Sequence, residues 1–140
     1  MSKKYEFTGE TRVVVYKKSG DFVNVNLKRI RALRDFGDVR TGDLGGWIEK
    51  EDNLSQEGKC WVYHNAIAAG NSKISGGACI KDNAQIFDNI KISEMAIISG
   101  EARISGDSII SGTTHVSINA CIFDSEEYQS ARTLFKIGES

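Results

Sequence analysis

The sequence predicts an all-β chain built on a parallel β-helix. Three observations carry that expectation: a hydrophobic beat of six residues, a small residue two positions before each beat, and turn formers after it. The beat runs through Val62, Ala68, Ile74, Ile80, Ile86, Ile92, Ile98, Ile104, Ile110, Val116 and Ile122 without a slip. The small positions are Cys60, Ala66, Ser72, Ala78, Ala84, Ala96, Ala102, Ser108, Thr114 and Ala120, and only Ile90 among them is large. Pairs such as Gly70-Asn71, Asp82-Asn83, Asp88-Asn89, Gly100-Glu101 and Gly106-Asp107 supply the turns. A helix brings together residues three and four apart, whereas a strand puts residues two apart on one face. The small and aliphatic members therefore point inward from one short strand. The following pair, of types that tolerate turn conformations, bends the chain into the next strand. So strict a period marks a stacked solenoid.

The repeat resembles the hexapeptide-repeat left-handed β-helix, in which about three hexads make a triangular coil of about 18 residues. That resemblance implies about four coils, stacked into a prism on the order of 18 Å tall. It alone implies the left-handed sense, because parallel crossovers are ordinarily right-handed.

The elements ahead of the repeat read as β structure. Thr11–Tyr16 and Phe22–Leu27 flank a turn centred on Ser19-Gly20, and Val23, Val25 and Leu27 alternate with polar residues as in a half-buried strand. Lys28–Arg34 fits either a strand or a short helix. Gly37, Gly42, Gly45 and Gly46 then mark an irregular loop anchored by Val39, Leu44, Trp47 and Ile48. Ile48 and Leu54 already stand six apart, so a degenerate rung starts here before a shift of two reaches Val62. After the repeat, Ser125 reads as a helix N-cap with Glu126 and Glu127 in the first turn, and Tyr128, Ala131, Leu134 and Phe135 share a helical face. The expected organisation is one compact domain: a hairpin and glycine-rich cap over 1–58, the β-helix over 59–124, and a short capping helix over 125–140. Both caps would cover strand edges that otherwise invite polymerisation.

Composition narrows the function. With 140 residues the chain suits one domain, and a net charge of −1 supplies no field for nucleic acid. Residues 1–58 hold eleven basic and ten acidic side chains, the remainder seven and nine, so neither half is polarised. No apolar run approaches a membrane span and no signal peptide is visible, which makes the cytoplasm the default setting. Cys60 falls inward, whereas Cys79 and Cys121 fall outward on different faces, so neither a disulfide nor a zinc site is expected. The Asn53-Leu54-Ser55 sequon matters only for a secreted protein.

Arg31–Val39, Gly42–Glu49, Asn53–Ser55 and Trp61-Val62 resemble a family of phage- and prophage-encoded proteins. Those proteins carry the same segment ahead of Asn-Ala-x-Val-x-Gly repeats, which Asn65-Ala66, Asn83-Ala84 and Asn119-Ala120 match. The resemblance spans roughly residues 5–124 and is most specific over Gly42–Glu49. It implies a host bacterial cytoplasm and a β-helix, and no activity.

Catalytic motifs are thin. Hexapeptide-repeat acyltransferases typically bring a histidine to a site between neighbouring coils of a trimer, and only His64, at a turn, and His115, on an outward strand position, are present. They do not stack, and an exposed structural histidine is the simpler reading of each. Two histidines cannot supply the three that a zinc carbonic anhydrase of this fold needs. Asp35-Phe36-Gly37 lacks the rest of a kinase, and Gly42–Gly46 lacks the Lys-Ser/Thr of a phosphate loop. Asp82 and Asp88 belong to different corners and read as solvated turns. Lys28, Arg29, Arg31, Arg34 and Arg40 form the densest basic cluster, which a nucleic acid or acidic partner could use. Asp35, Asp38 and Asp43 lie close enough in sequence to neutralise it.

Every third hexad falls on the same side of a triangular coil, which assigns the outward positions. One face shows Trp61, Tyr63, Cys79 and Ile97, a second Ile67, Ala69, Phe87 and Phe123, and the third is nearly polar. Stacked apolar groups suggest contact between chains, most simply in a homo-oligomer, unless the N-terminal segment covers one face. The leading expectation is a non-catalytic, cofactor-free interaction protein of phage origin that docks on a host defence component such as a CRISPR-Cas complex. The alternatives are an acyltransferase or its remnant, with a cofactor cleft between subunits, and an oligomer that sequesters a small ligand or nucleotide.

Overall fold

The computed structural model describes residues 3–18, 21–107 and 109–116, together with the strands at 121–122 and 127–128. β1 (Tyr5–Lys18) and β2 (Asp21–Ala32) form a long antiparallel hairpin, and β3 (Leu44–Ile48) follows. Short strands then recur with the hexad: β4 (Trp61–Val62), β5 (Ile67–Ala68), β6 (Lys73–Ile74), β7 (Cys79–Ile80), β8 (Gln85–Ile86), β9 (Lys91–Ile92), β10 (Ile97–Ile98), β11 (Arg103–Ile104), β12 (Ile109–Ile110), β13 (His115–Val116), β14 (Cys121–Ile122) and β15 (Glu127–Tyr128). They stack in parallel as three sheets, β4-β7-β10-β13, β3-β5-β8-β11-β14 and β6-β9-β12-β15, which is the triangular coil the period requires. Each strand pairs with the third one along the chain, as Val62 with Ile80 and Ile98 with Val116.

The degenerate rung forms as the sequence predicts. Ile48 pairs with Ala68 and Leu54 with Ile74, each a span longer by two than that from Val62 to Ile80. The first coil therefore starts at Leu44 and carries an insertion of two before Val62. The glycine-rich stretch is thus a strand rather than an irregular loop over its second half. Gly45 and Gly46 are required there because Trp61, Val62 and Ala66 press against the backbone. The core is the two inward columns: the aliphatic beat from Val62 to Val116 and the small positions from Cys60 to Ala102 are each at most 1% exposed, Ile90 included.

At the corners the residue two after each beat takes positive φ: His64, Asp82 and Gly100 at one, Gly70, Asp88 and Gly106 at the next, Gly76, Glu94 and Gly112 at the third. Where that residue is acidic it also ties coils together. Asp82 Oδ2 accepts the Gly100 N–H, Asp88 Oδ2 that of Gly106 and Glu94 Oε1 that of Gly112, each at 3.0 Å. These carboxylates are thus vertical ties rather than merely solvated turns. Glu94→Val is expected to cost about 2 kcal/mol in urea unfolding, since a β-branched residue resists φ near +61° and the tie is lost. Glu94→Gly should cost less than half as much.

The N-terminal segment closes the first coil. Tyr5, 1% exposed, donates its hydroxyl to Leu54 O at 2.5 Å and Glu51 O at 3.1 Å, and burial pushes its pKa well up. Lys4 is fully buried, with Nζ donating to Cys60 O at 2.7 Å and Glu57 O at 3.3 Å. The loss of hydration pulls that ammonium's pKa down, and its donors satisfy main-chain carbonyls at the start of the first coil. Lys28–Arg34 resolves as strand through Ala32, because β2 pairs with β3 from Lys28 to Arg31.

Two expectations are corrected. Glu127 and Tyr128, expected in the capping helix, instead form β15, paired with Ile109 and Ile110. Tyr128 stands one hexad after Ile122, so the repeat simply continues, and the open edge of β12 rewards a strand over a helix. The rest of the proposed helix lies outside the described residues. The second outward face is not open either. The hairpin bends down over it, and Val25 and Leu27 pack on Ile67, Ala69 and Phe87, with Val14 and Trp47 alongside.

Candidate functional site

The face carrying β4, β7, β10 and β13 remains uncovered by the hairpin. At its top Trp61 is 1% exposed, held edge-on by Phe36 at 5.1 Å and Tyr5 at 6.1 Å between ring centroids. Trp61, Ile67 and Phe87 are therefore core residues of this chain and present no surface to a partner. Tyr63 and Ile97 are half-buried, and Phe123 lies outside the described residues.

Below the cap the loop after Phe36 meets the first corner. Tyr63 Oη donates to Asp38 Oδ1 at 2.7 Å, and Lys81 Nζ sits 5.3 Å from the Tyr63 ring centre. Burial, then the bond to Asp38, holds the Tyr63 phenol far above its usual range, so it stays a neutral donor. Beside this pair opens a groove of about 660 Å³ lined by Asp38, Tyr63, His64, Lys81, Asp82 and Glu101. A second hollow of about 450 Å³, reaching Leu44, Asp43 and Trp61, shares Asp38, Tyr63 and His64 with it. His64 stands between the two, exposed, at a corner with φ +41°. It lines both hollows, a placement that suits proton transfer to a bound group.

His115 is elsewhere. It is exposed on β13, three rungs from Trp61 along the register Trp61–Cys79–Ile97–His115, which places it roughly 14 Å along the axis. Its Nε2 lies 3.4 Å from Ser99 Oγ. The two histidines do not meet. Cys79, half-buried between them, has its thiol pushed up by burial, which disfavours the thiolate a nucleophile needs. Among the described residues no group of three or more His, Cys, Asp or Glu side chains could hold a metal ion. No helix of the described residues is long and apolar enough to cross a membrane.

The basic cluster is not a free patch. Arg31 pairs with Glu6 at 2.5 Å and Arg29 with Glu10 at 3.7 Å; Lys28 donates to Glu49 O, Arg34 to Gln56 O, and Arg40 to Gly37 O and Val39 O. Arg29 and Arg12 also lie 5.3 and 5.7 Å from the centre of Trp47, one on each strand of the hairpin. The neighbours expected to neutralise the cluster in sequence, Asp35 and Asp43, are instead engaged with Thr41 and the Arg40 N–H. Cross-strand glutamates do that work. Asp38 and Tyr63 were not recognisable as a site: Asp38 sits on a loop whose path is set only by docking, and Tyr63 read as one outward residue among several.

No family model matches the chain. It is 48% identical over 75 residues to a protein of Escherichia coli (strain K12) named "Uncharacterized acetyltransferase YdcK". The match takes in 53% of this chain and 23% of that protein, so the chain spans about a quarter of that relative's length. The six-residue repeat, the three-sided parallel coil and this likeness together give the chain the architecture of a hexapeptide-repeat β-helix.

Proposed function

We propose that the chain is an acyl-transfer unit in which His64 acts as general base at the corner groove. What carries the reading is the 48% identity to a protein named as an acetyltransferase, which favours the acyltransferase alternative over an anti-defence role. The groove supports it chemically. An amine or hydroxyl acceptor lying there would give its proton to the exposed imidazole as it attacks a thioester carbonyl; the C–S bond then breaks and the departing thiolate takes up that proton to leave as a thiol, while the Tyr63–Asp38 pair offers fixed polar contacts. The open face below Cys79, with half-buried Ile97, is where a second copy could close a cleft over the acyl donor.

The test is release of free thiol from acetyl-coenzyme A with a panel of amine and hydroxyl acceptors. Turnover above the protein-free rate should fall about 100-fold or more in His64→Ala, the usual scale for losing a positioned general base. The same loss in His115→Ala alone would move the base to the open face. No turnover with any acceptor would remove the acyl-transfer reading for this chain.

A further inference from the structure

The corner groove has a sign and a direction. Three carboxylates line it, Asp38, Asp82 and Glu101, against one ammonium, Lys81. Each carboxylate commits one oxygen to the chain: Asp38 Oδ1 accepts from Tyr63, Asp82 Oδ2 from the Gly100 N–H, and Glu101 Oε2 from Asn83 Nδ2 at 3.1 Å. Their second oxygens have no hydrogen-bond partner among the described residues. Lys81 forms no ion pair with them among the described residues; its ammonium sits over the Tyr63 ring. The groups are also arrayed lengthwise. His64, Asp82 and Gly100 succeed one another at one corner, a coil apart, and Glu101 follows Gly100. With rungs about 4.8 Å apart, Asp82 lies roughly 5 Å and Glu101 roughly 10 Å along the axis from His64.

We propose that the acceptor this groove selects is a short linear diamine, with one amine at His64 and the other, as ammonium, held between Asp82 and Glu101. The inference rests on the acyl-transfer reading and names its substrate class. An amine must be neutral to attack a carbonyl, so the charge that the carboxylates recognise belongs on a second nitrogen. A hydroxyl acceptor or a simple monoamine leaves that lining without a counter-charge. An anionic acceptor meets repulsion, because a cleft lined by one sign of charge concentrates the opposite sign. The spacing of one to two rungs suits a chain of about four carbons between the nitrogens. At His64 the reacting nitrogen passes a proton to the imidazole as its bond to the acyl carbon forms. The C–S bond breaks and the thiolate leaves with that proton, giving an amide whose far ammonium is unchanged.

The experiment compares thiol release from acetyl-coenzyme A, on the full chain, with 1,4-diaminobutane and 4-amino-1-butanol as acceptors. The two share the reacting amine and the chain length and differ in the second charge. The diamine should lead by about five- to tenfold in kcat/KM, the scale of two exposed ion pairs, and the lead should shrink with added salt. In Asp82→Asn with Glu101→Gln, whose amide oxygens can still accept from Gly100 and Asn83, the two acceptors should become equivalent. A thermal melt checks that this variant stays folded. Turnover in which the wild type uses both acceptors equally would overturn the diamine and leave acyl transfer standing. So would a lead that the amide variant keeps. Calorimetric titration of 1,4-diaminobutane without a donor reads the site even where no acceptor turns over. Binding at low salt that the amide variant loses supports the proposal, and no binding overturns it.

Discussion

Ile92→Asp leaves no folded prism at room temperature. Ile92 is fully buried in β9, paired with Ile74 above and Ile110 below. The substitution removes aliphatic burial worth about 1.5–3 kcal/mol and puts a carboxyl among groups that cannot hydrogen-bond it. The sum, about 5 kcal/mol or more, matches the whole stability of an ordinary domain. Circular dichroism on heating should show no cooperative transition. A melt like that of the wild type would refute the inward assignment of the beat.

Gly46→Ala costs about 1–3 kcal/mol and loosens the first coil, although it adds a single methyl group. A Cβ at Gly46 would stand 2.5 Å from Ala66 O, 2.8 Å from Val62 Cγ1 and 3.0 Å from Tyr63 O. Two of those three are backbone atoms of the next coil, which cannot swing away. β3 would have to lift from β5, and with it the cap that covers Trp61. Urea unfolding should show an earlier midpoint, and tryptophan emission should shift to the red as Trp61 gains water. An unchanged midpoint would mean that the coil can relax around the methyl.

Much of the fold was legible because a hexad is a local rule. The period alone set which residues enter the core, the pairing of every third strand and even the shift of two between Leu54 and Val62. The hairpin was legible from alternation. Its destination was not, because Val23, Val25 and Leu27 announce a buried face without saying what buries it. The outward apolar column of Ile67, Ala69 and Phe87 is the other half of that contact, and its pattern fits a second chain or the N-terminal segment equally.

The candidate site was legible in part. His64 was marked as a turn residue, but Asp38 and Lys81 reach it only because the loop after Phe36 docks on Trp61 and because one coil stacks beneath another. The same holds for the basic cluster. Sequence proximity pointed to Asp35, Asp38 and Asp43 as partners for its arginines, whereas strand pairing brings Glu6 to Arg31 and places Glu10 beside Arg29.

The sequence by itself determined the coil, its register and its inward columns, since each depends on neighbours one hexad and three hexads along the chain. Only the tertiary structure decided which face stays open, how Lys4 and Tyr5 close the first coil, and that Glu127 and Tyr128 add a rung instead of a helix. Those outcomes turn on long-range burial and on unpaired strand edges, which no local pattern records.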